Sequence, residues 1–195
     1  MIRQLWTVGH SNLKIEGFIA ILREHRIDHL ADVRSRPVSR FCPHFNRARL
    51  ETSLAGAGIA YSYLGGVLGG RPADAALYTD GRADYRKMAA SAGVREGLDR
   101  LERLADNHNV AAMCSERDPL HCHRFMLVAV EMARRGFTIE HLSAKGIETH
   151  PDAVERLLIE TGLHPGPMFR ASTHEISEAI FARSTTHAFK ASPAP

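Results

Sequence analysis

The sequence predicts a three-layer α/β protein, a mostly parallel sheet of about five strands with helices on both faces. Short apolar runs alternate along the chain with segments of helical apolar spacing, the pattern of strand and helix in turn. Each run ends in a polar loop rich in glycine, histidine or arginine, as at the ligand-binding edge of a parallel sheet. A length of 195 residues, 44% hydrophobic and 24% charged, supplies one sizeable core and is short for two. A single domain over residues 1–165 is expected, followed by a C-terminal extension over 166–195.

Gln4 to Val8 reads as the first strand, Gly9-His10-Ser11-Asn12 as its polar turn, and Ile15, Phe18, Ile19 and Leu22 as the apolar stripe of a helix. Ile27 to Val33 is the second strand. It leads into Arg34-Ser35-Arg36-Pro37-Val38-Ser39-Arg40-Phe41-Cys42-Pro43, whose prolines exclude a regular helix. Ala48 to Ala57 is a helix stopped by Gly58, and Ile59 to Leu64 is the third strand, followed by the glycine-rich stretch Gly65 to Gly70. Residues 71–90 read as irregular, with a helix over Tyr85 to Ala90. Val94, Leu98, Leu101, Leu104 and Ala105 mark an amphipathic helix over Val94 to Asp106.

Val110 to Met113 is the fourth strand, ending at Cys114-Ser115-Glu116-Arg117. Asp118 as cap and Pro119 at the first helical position then open one helix that reaches Arg134, Arg135 and Gly136. Phe137 to Leu142 is the fifth strand, Lys145-Gly146 a turn, and Pro151 opens a helix to about Glu160. Ser172 and Glu175 form a capping box for a short helix carrying Ile176, Ala179 and Ile180, and the last dozen residues read as disordered. Right-handed crossovers and a single reversal of winding give the strand order 3-2-1-4-5. That order brings the loops after the first, second and fourth strands to one crevice.

The net charge of +3 permits an anionic ligand without requiring nucleic acid. Three cysteines, Cys42, Cys114 and Cys122, form no disulfide framework and suit a reducing compartment. With no secretory h-region and no apolar run near the roughly 18 residues of a membrane span, a cytoplasmic protein without membrane contact is expected. Oligomeric state is not legible.

Cys114 follows a strand and precedes a helix N-terminus, with Arg117 and Arg124 near; dipole and cations favour a thiolate and Glu116 opposes it. A nucleophilic or redox role, metal ligation and plain packing all stay open. A tyrosine-phosphatase-like loop needs an arginine at a fixed distance past its cysteine, where this chain has Leu120 or Val128. Cys114, Cys122 and His123 lack paired-ligand zinc spacing, so no metal or other cofactor is expected unless His10 or His44 joins from another loop. Cys122 continues the stripe of Phe125, Met126 and Ala129, which reads as core and makes Cys114 the more reactive thiol. Arg124 at the helix opening suits a phosphate or carboxylate, or else an ion pair with Asp32 or Glu116. His10 suits a general acid or base, or a loop-bridging hydrogen bond. Arg34, Arg36 and Arg40 make the densest cationic loop, or a solvated run with one internal ion pair. Gly65 to Gly70 lacks the Walker lysine and is a weak phosphate signal alone.

Together these loops resemble the domain of unknown function family numbered 488. The matching features are Thr7-Val8-Gly9-His10-Ser11-Asn12; Asp32-Val33-Arg34-Ser35 with Pro37, Ser39 and Arg40; Tyr63-Leu64-Gly65-Gly66 with Leu68-Gly69-Gly70; and Cys114-x-Glu116 with Pro119, Cys122, His123 and Arg124. The resemblance covers roughly residues 3–160 and implies an α/β fold with a shared polar site, but no known reaction. No family role is carried onto Cys42.

The expected function is an enzyme acting on an anionic, phosphate-bearing substrate such as a nucleotide or nucleic-acid end. Cys114, Glu116 and His10 are its candidate catalytic residues, and Ser11, Asn12, Asp32, Arg34, Ser35, Arg40, Gly65, Gly66, Cys122, His123 and Arg124 its candidate binding residues. The alternative is a non-catalytic nucleotide- or nucleic-acid-binding module using the same arginines.

Overall fold

A computed structural model describes residues 3–163 and 171–191. The strands are β1 (Gln4–Gly9), β2 (His29–Asp32), β3 (Ala60–Tyr63), β4 (Tyr78–Thr79), β5 (Arg82–Ala83), β6 (Val110–Cys114), β7 (Thr138–Ser143) and β8 (Gly146–Thr149). The helices are α1 (Ile15–Glu24), α2 (Arg47–Ala55), α3 (Gly65–Leu68), α4 (Tyr85–Ala90), α5 (Ala92–Ala105), α6 (Val130–Arg134), α7 (His150–Thr161) and α8 (Thr173–His187). Six strands form the central sheet in the order β3-β2-β6-β1-β7-β8, parallel except for the antiparallel β7–β8 pair. The β4–β5 hairpin stands apart.

The expected α/β architecture holds, and the strand order is corrected. The fourth expected strand, β6, inserts between β1 and β2, where the sequence reading put it outside β1. All five β6 residues are buried, as a central strand covered on both faces requires, whereas Gln4 and Trp6 of β1 are only half-buried. Two cores result. Val110, Ala112 and Cys114 face one with Leu98, Leu101, Phe125 and Leu157, and Ala111 and Met113 face the other with Phe18, Leu30, Phe45 and Leu54. Burying each leucine or phenylalanine fully stabilises the fold by roughly 1.5–3 kcal/mol before chain entropy is counted.

The sixth strand, β8, completes a hairpin where only a turn was expected. It is an edge strand, mostly exposed, so it carries no apolar alternation to read. In the stretch expected to be irregular, the β4–β5 hairpin precedes α4, with Asp84 accepting from the Arg86 and Lys87 amides as its cap. Ser172 and Glu175 do form the capping box, and α8 is longer than the short helix expected. Of the dozen residues read as disordered, those up to 191 are structured: Ala83 N–H donates to the Phe189 carbonyl at 2.9 Å and Ala191 N–H to that of Gly81 at 2.8 Å. Residues 192–195 lie outside the described part.

The helix expected from Pro119 to Arg134 is broken into three. Pro119–His121 form a single 3-10 turn capped by Asp118, whose carboxylate accepts from Leu120 N–H at 2.9 Å. Cys122 is extended (φ −139°, ψ 141°), and the chain re-enters as a π-helical segment, Arg124–Ala129, that continues into α6. π-helical segments are rare and recur at functional sites.

Candidate active site

The extended Cys122 brings both Cys122 and His123 back towards the end of β6. His123 Nδ1 lies 3.7 Å from Cys114 Sγ and 3.8 Å from Cys122 Sγ. The two sulfurs and the imidazole nitrogen all fall within 4.8 Å of one another. His123 Nε2 lies 2.8 Å from the Val33 carbonyl oxygen at the end of β2. A carbonyl only accepts, so Nε2 carries the proton and donates it, which leaves the Nδ1 side turned towards the sulfurs. Gly70 makes room for the ring, since a Cβ there would sit 2.8 Å from His123 Cγ.

The helix opens after Cys122, not at Pro119, so its free N–H groups serve Cys122. Arg124 N–H donates to Cys122 Sγ at 3.4 Å. Burial opposes ionisation at Cys122, yet the hydrogen bond from the Cys114 thiol and the charges of His123 and Arg124 outweigh it and hold that thiol well below its ordinary pKa. Cys114, as donor to Cys122 and fully buried, is pushed up. Desolvation raises the Glu116 carboxyl, and the facing Cys122 adds to it. The surroundings favour ionisation at Cys122 over Cys114, whereas the sequence expectation made Cys114 the more reactive thiol, and Arg117 donates to Asn12 Oδ1 at 3.1 Å.

Above this floor lies a cleft of about 300 Å³, lined by Cys114, Cys122, His123, Tyr85 and Glu116 and by Arg34, Ser35 and Gly70. Arg36, Arg71, His121 and His187 form its rim, with the last two rings stacked at 4.2 Å. The Arg71 guanidinium rests on the Phe189 ring, 4.5 Å from its centroid, and Arg71 N–H donates to Ser35 Oγ at 3.0 Å. Tyr85, Arg71, His121, His187 and Phe189 were not among the residues the sequence singled out. His121 adjoins Cys122 and was within reach of such a reading, whereas His187 and Phe189 come from the C-terminal segment and carry no motif.

Most of the remaining candidates are engaged by partners of their own, and of them only Arg34 also lines the cleft. Arg34 and Asp32 form a buried ion pair at 2.6 Å, and Arg34 also donates to the Phe45 carbonyl at 2.9 Å and to His10 Nε2 at 3.2 Å. Tyr61 OH donates to the same carboxylate at 2.8 Å. His10 stacks on Phe45, its Nδ1 lies 2.9 Å from the Ser11 carbonyl, and burial together with Arg34 lowers its pKa to about 4. His10 is thus a buried neutral bridge between loops. Ser11 and Asn12 accept from Arg117, and neither lines the cleft over the thiols. Arg124 is buried and donates to the carbonyls of Glu116 at 2.6 Å and Arg117 at 3.0 Å, holding the loop that carries Glu116. Gly9 permits that loop to approach, since a Cβ there would lie 1.8 Å from the Glu116 carbonyl oxygen. Gly65 and Gly66 open α3. Arg40 is exposed beside Phe41, and Cys42 is buried with its thiol 3.6 Å from the Ser11 carbonyl.

Fold and cleft together define an α/β protein with a thiol–imidazole centre at the carboxyl edge of its parallel strands. The family model for the domain of unknown function DUF488 matches residues 14–130, more than half of the chain, and the chain belongs to that family. The match takes in the arginine loop, the glycine-rich stretch and Cys114 to Arg124, and it excludes Gly9 to Asn12, which the motif resemblance had included. No curated protein and no solved structure matches the chain. Among the described residues no helix is long and apolar enough to cross a membrane.

Proposed function

We propose that the protein is an enzyme acting on a small anionic, phosphate-bearing substrate, such as a nucleotide or nucleic-acid end, held over the Cys114–Cys122–His123 floor. The observation that supports this best is the pairing of that floor with Arg36 and Arg71 at the rim, neither of which forms an ion pair among the described residues. Guanidinium groups left without carboxylate partners at a cleft mouth suit a phosphate or carboxylate. A cleft of about 300 Å³ admits a small ligand or the end of a larger one. Glu116, on the same wall, is placed to carry a proton to or from a group bound there. Binding falls to Arg36 and Arg71 in this reading, because Arg34 and Arg124 are committed to internal partners.

Titration calorimetry with inorganic phosphate and nucleoside monophosphates tests the binding half. Arg36→Ala and Arg71→Ala are each expected to weaken affinity about ten-fold, the loss of one charge-assisted contact. Turnover of the bound compounds, followed by phosphorus NMR, tests the catalytic half: Glu116→Gln is expected to abolish it while affinity stays within about three-fold. Affinity indifferent to both arginines sinks the reading.

One observation favours the binding-module alternative. Phe41 is 96% and Val38 69% exposed on the loop that also carries Arg36 and Arg40, an apolar and cationic surface suited to base stacking. If that module is the function, Phe41→Ala weakens single-stranded oligonucleotide binding by about 1–3 kcal/mol, binding falls steeply with salt, and Glu116→Gln changes nothing.

A further inference from the structure

We infer that Cys114, Cys122 and His123 form a binding site for a zinc-class divalent transition metal, with a fourth coordination position open to the cleft. The inference deepens the preceding reading and rests on it only in taking this cluster as the reactive centre. Tetrahedral coordination with sulfur at about 2.3 Å and imidazole nitrogen at about 2.0–2.1 Å places neighbouring donors about 3.6 Å apart for sulfur and nitrogen and about 3.8 Å apart for two sulfurs. The structure holds His123 Nδ1 at 3.7 and 3.8 Å from the two sulfurs, with all three donor atoms within 4.8 Å. Both nitrogen–sulfur distances are therefore within about 0.2 Å of tetrahedral spacing, and the sulfurs lie no more than 4.8 Å apart.

Three further features fit the same ligand. His123 presents Nδ1 while Nε2–H is held by the Val33 carbonyl at 2.8 Å, the outer hydrogen bond that orients metal-ligating histidines. Arg124 N–H at 3.4 Å from Cys122 Sγ suits a sulfur that carries negative charge. All three residues line the cleft, so the remaining corner faces the space where a ligand would enter. Two thiolates and one imidazole favour zinc over harder cations, and three protein donors with one open corner resemble a catalytic rather than a structural site. His10 and His44, the partners the sequence reading required for a metal, are engaged elsewhere: His10 Nε2 takes Arg34, and His44 Nε2 lies 2.8 Å from the Leu13 carbonyl. The absence of paired-ligand spacing is no obstacle, because the fold brings Cys114 from a strand end against Cys122 and His123 from a turn. Binding requires both sulfurs as thiolates and Nδ1 of His123 unprotonated, so whatever protons these three atoms carry are released to solvent.

The test uses the full chain, reduced and freed of metal by a chelator, titrated with Co(II) and then with Zn(II). The expected result is saturation at one equivalent, with thiolate-to-cobalt charge transfer and the intense visible bands of tetrahedral cobalt, both bleached by zinc. Cys122→Ser and His123→Gln are expected to weaken cobalt affinity at least 100-fold, and Cys42→Ser to leave it unchanged. The wild-type spectrum reports sulfur ligation and geometry directly, so the test stands even if a variant does not fold. No charge-transfer band in reduced wild-type protein, an octahedral spectrum, or a signal that survives His123→Gln in folded protein overturns the inference. So does a Cys114–Cys122 disulfide persisting in protein kept under reductant. Phosphate titration of the same samples separates the two readings. Metal bound without phosphate affinity sinks the anionic-substrate proposal alone, and phosphate affinity without metal sinks the metal site alone.

Discussion

Two polar centres lie within a few residues of each other at the carboxyl edge of the sheet, and they differ in what they leave unused. In the first, Asp32, Arg34, His10 and Tyr61 consume one another: the ion pair is buried on both sides, the remaining Arg34 donors go to His10 and the Phe45 carbonyl, and Tyr61 OH closes the carboxylate. In the second, Cys114, Cys122 and His123 are equally buried, yet their sulfurs and one ring nitrogen converge on a cleft. Buried charge that is fully matched fixes loops, whereas buried donors and acceptors left facing a space are available to a ligand. Arg34, the buried arginine of the most charged loop, therefore fixes that loop, and the less charged centre is the candidate for chemistry.

The sharpest way to break this comparison is to unpair the closed centre. Asp32→Ala strands the Arg34 guanidinium in the interior, and a loss of about 3–5 kcal/mol in urea unfolding is expected. A loss below about 1 kcal/mol means Arg34 is free to leave its pocket and bind ligand, and the contrast between the centres collapses. A pH series sharpens the same point. His10 titrates at about 4 in the folded chain and near 6.5 unfolded, so the unfolded state takes up protons first as pH falls. The stability it contributes is present above about pH 6.5 and is lost as pH falls towards 4. His10→Gln, which keeps an acceptor for Arg34, is expected to reduce that acid loss by about 1–3 kcal/mol. His141 and His150, lowered by burial to about 2 and about 4, add to the loss, as do carboxylates held low by hydrogen bonds, among them Glu102 and Asp118. An unchanged pH profile means His10 is not held neutral. The smallest effect on stability is expected at the open centre's rim: Arg36→Ala and Arg71→Ala should stay within about 0.5 kcal/mol of wild type while phosphate affinity falls.

Much of the fold was legible because it rests on local periodicity. The stripes Phe18–Leu22 and Leu98–Leu101 gave α1 and α5, and the capping box at Ser172 gave the start of α8. Strand order was not legible, since the crossover rules admit β6 on either side of β1, and only the burial of all five of its residues decides. The broken helix was hidden for a related reason. Asp118, Pro119 and the stripe from Phe125 satisfy every local helix signal, while the extended Cys122 between them is set by tertiary packing of His123 against Val33. Cys114, His123 and Glu116 were read from the chain as chemistry-bearing, and Cys122 as part of the core stripe and a candidate binding residue. Their grouping was not, because it depends on that break. His187, the last residue of α8, and Phe189 beyond it line the cleft, and neither carries a local signal of its own.

The measurement that tests the central claim most directly is alkylation of the three cysteines in reduced, metal-free protein, followed by peptide mass spectrometry with and without phosphate. Cys122 and Cys114 line the cleft and Cys42 does not. Cys122 is expected to label fastest, aided by the Arg124 N–H on its sulfur, and phosphate is expected to slow Cys122 and Cys114 and leave Cys42 unaffected. Labelling of Cys42 at the rate of Cys122, or rates at Cys122 and Cys114 indifferent to saturating phosphate, would contradict the placement of ligand and chemistry in this cleft.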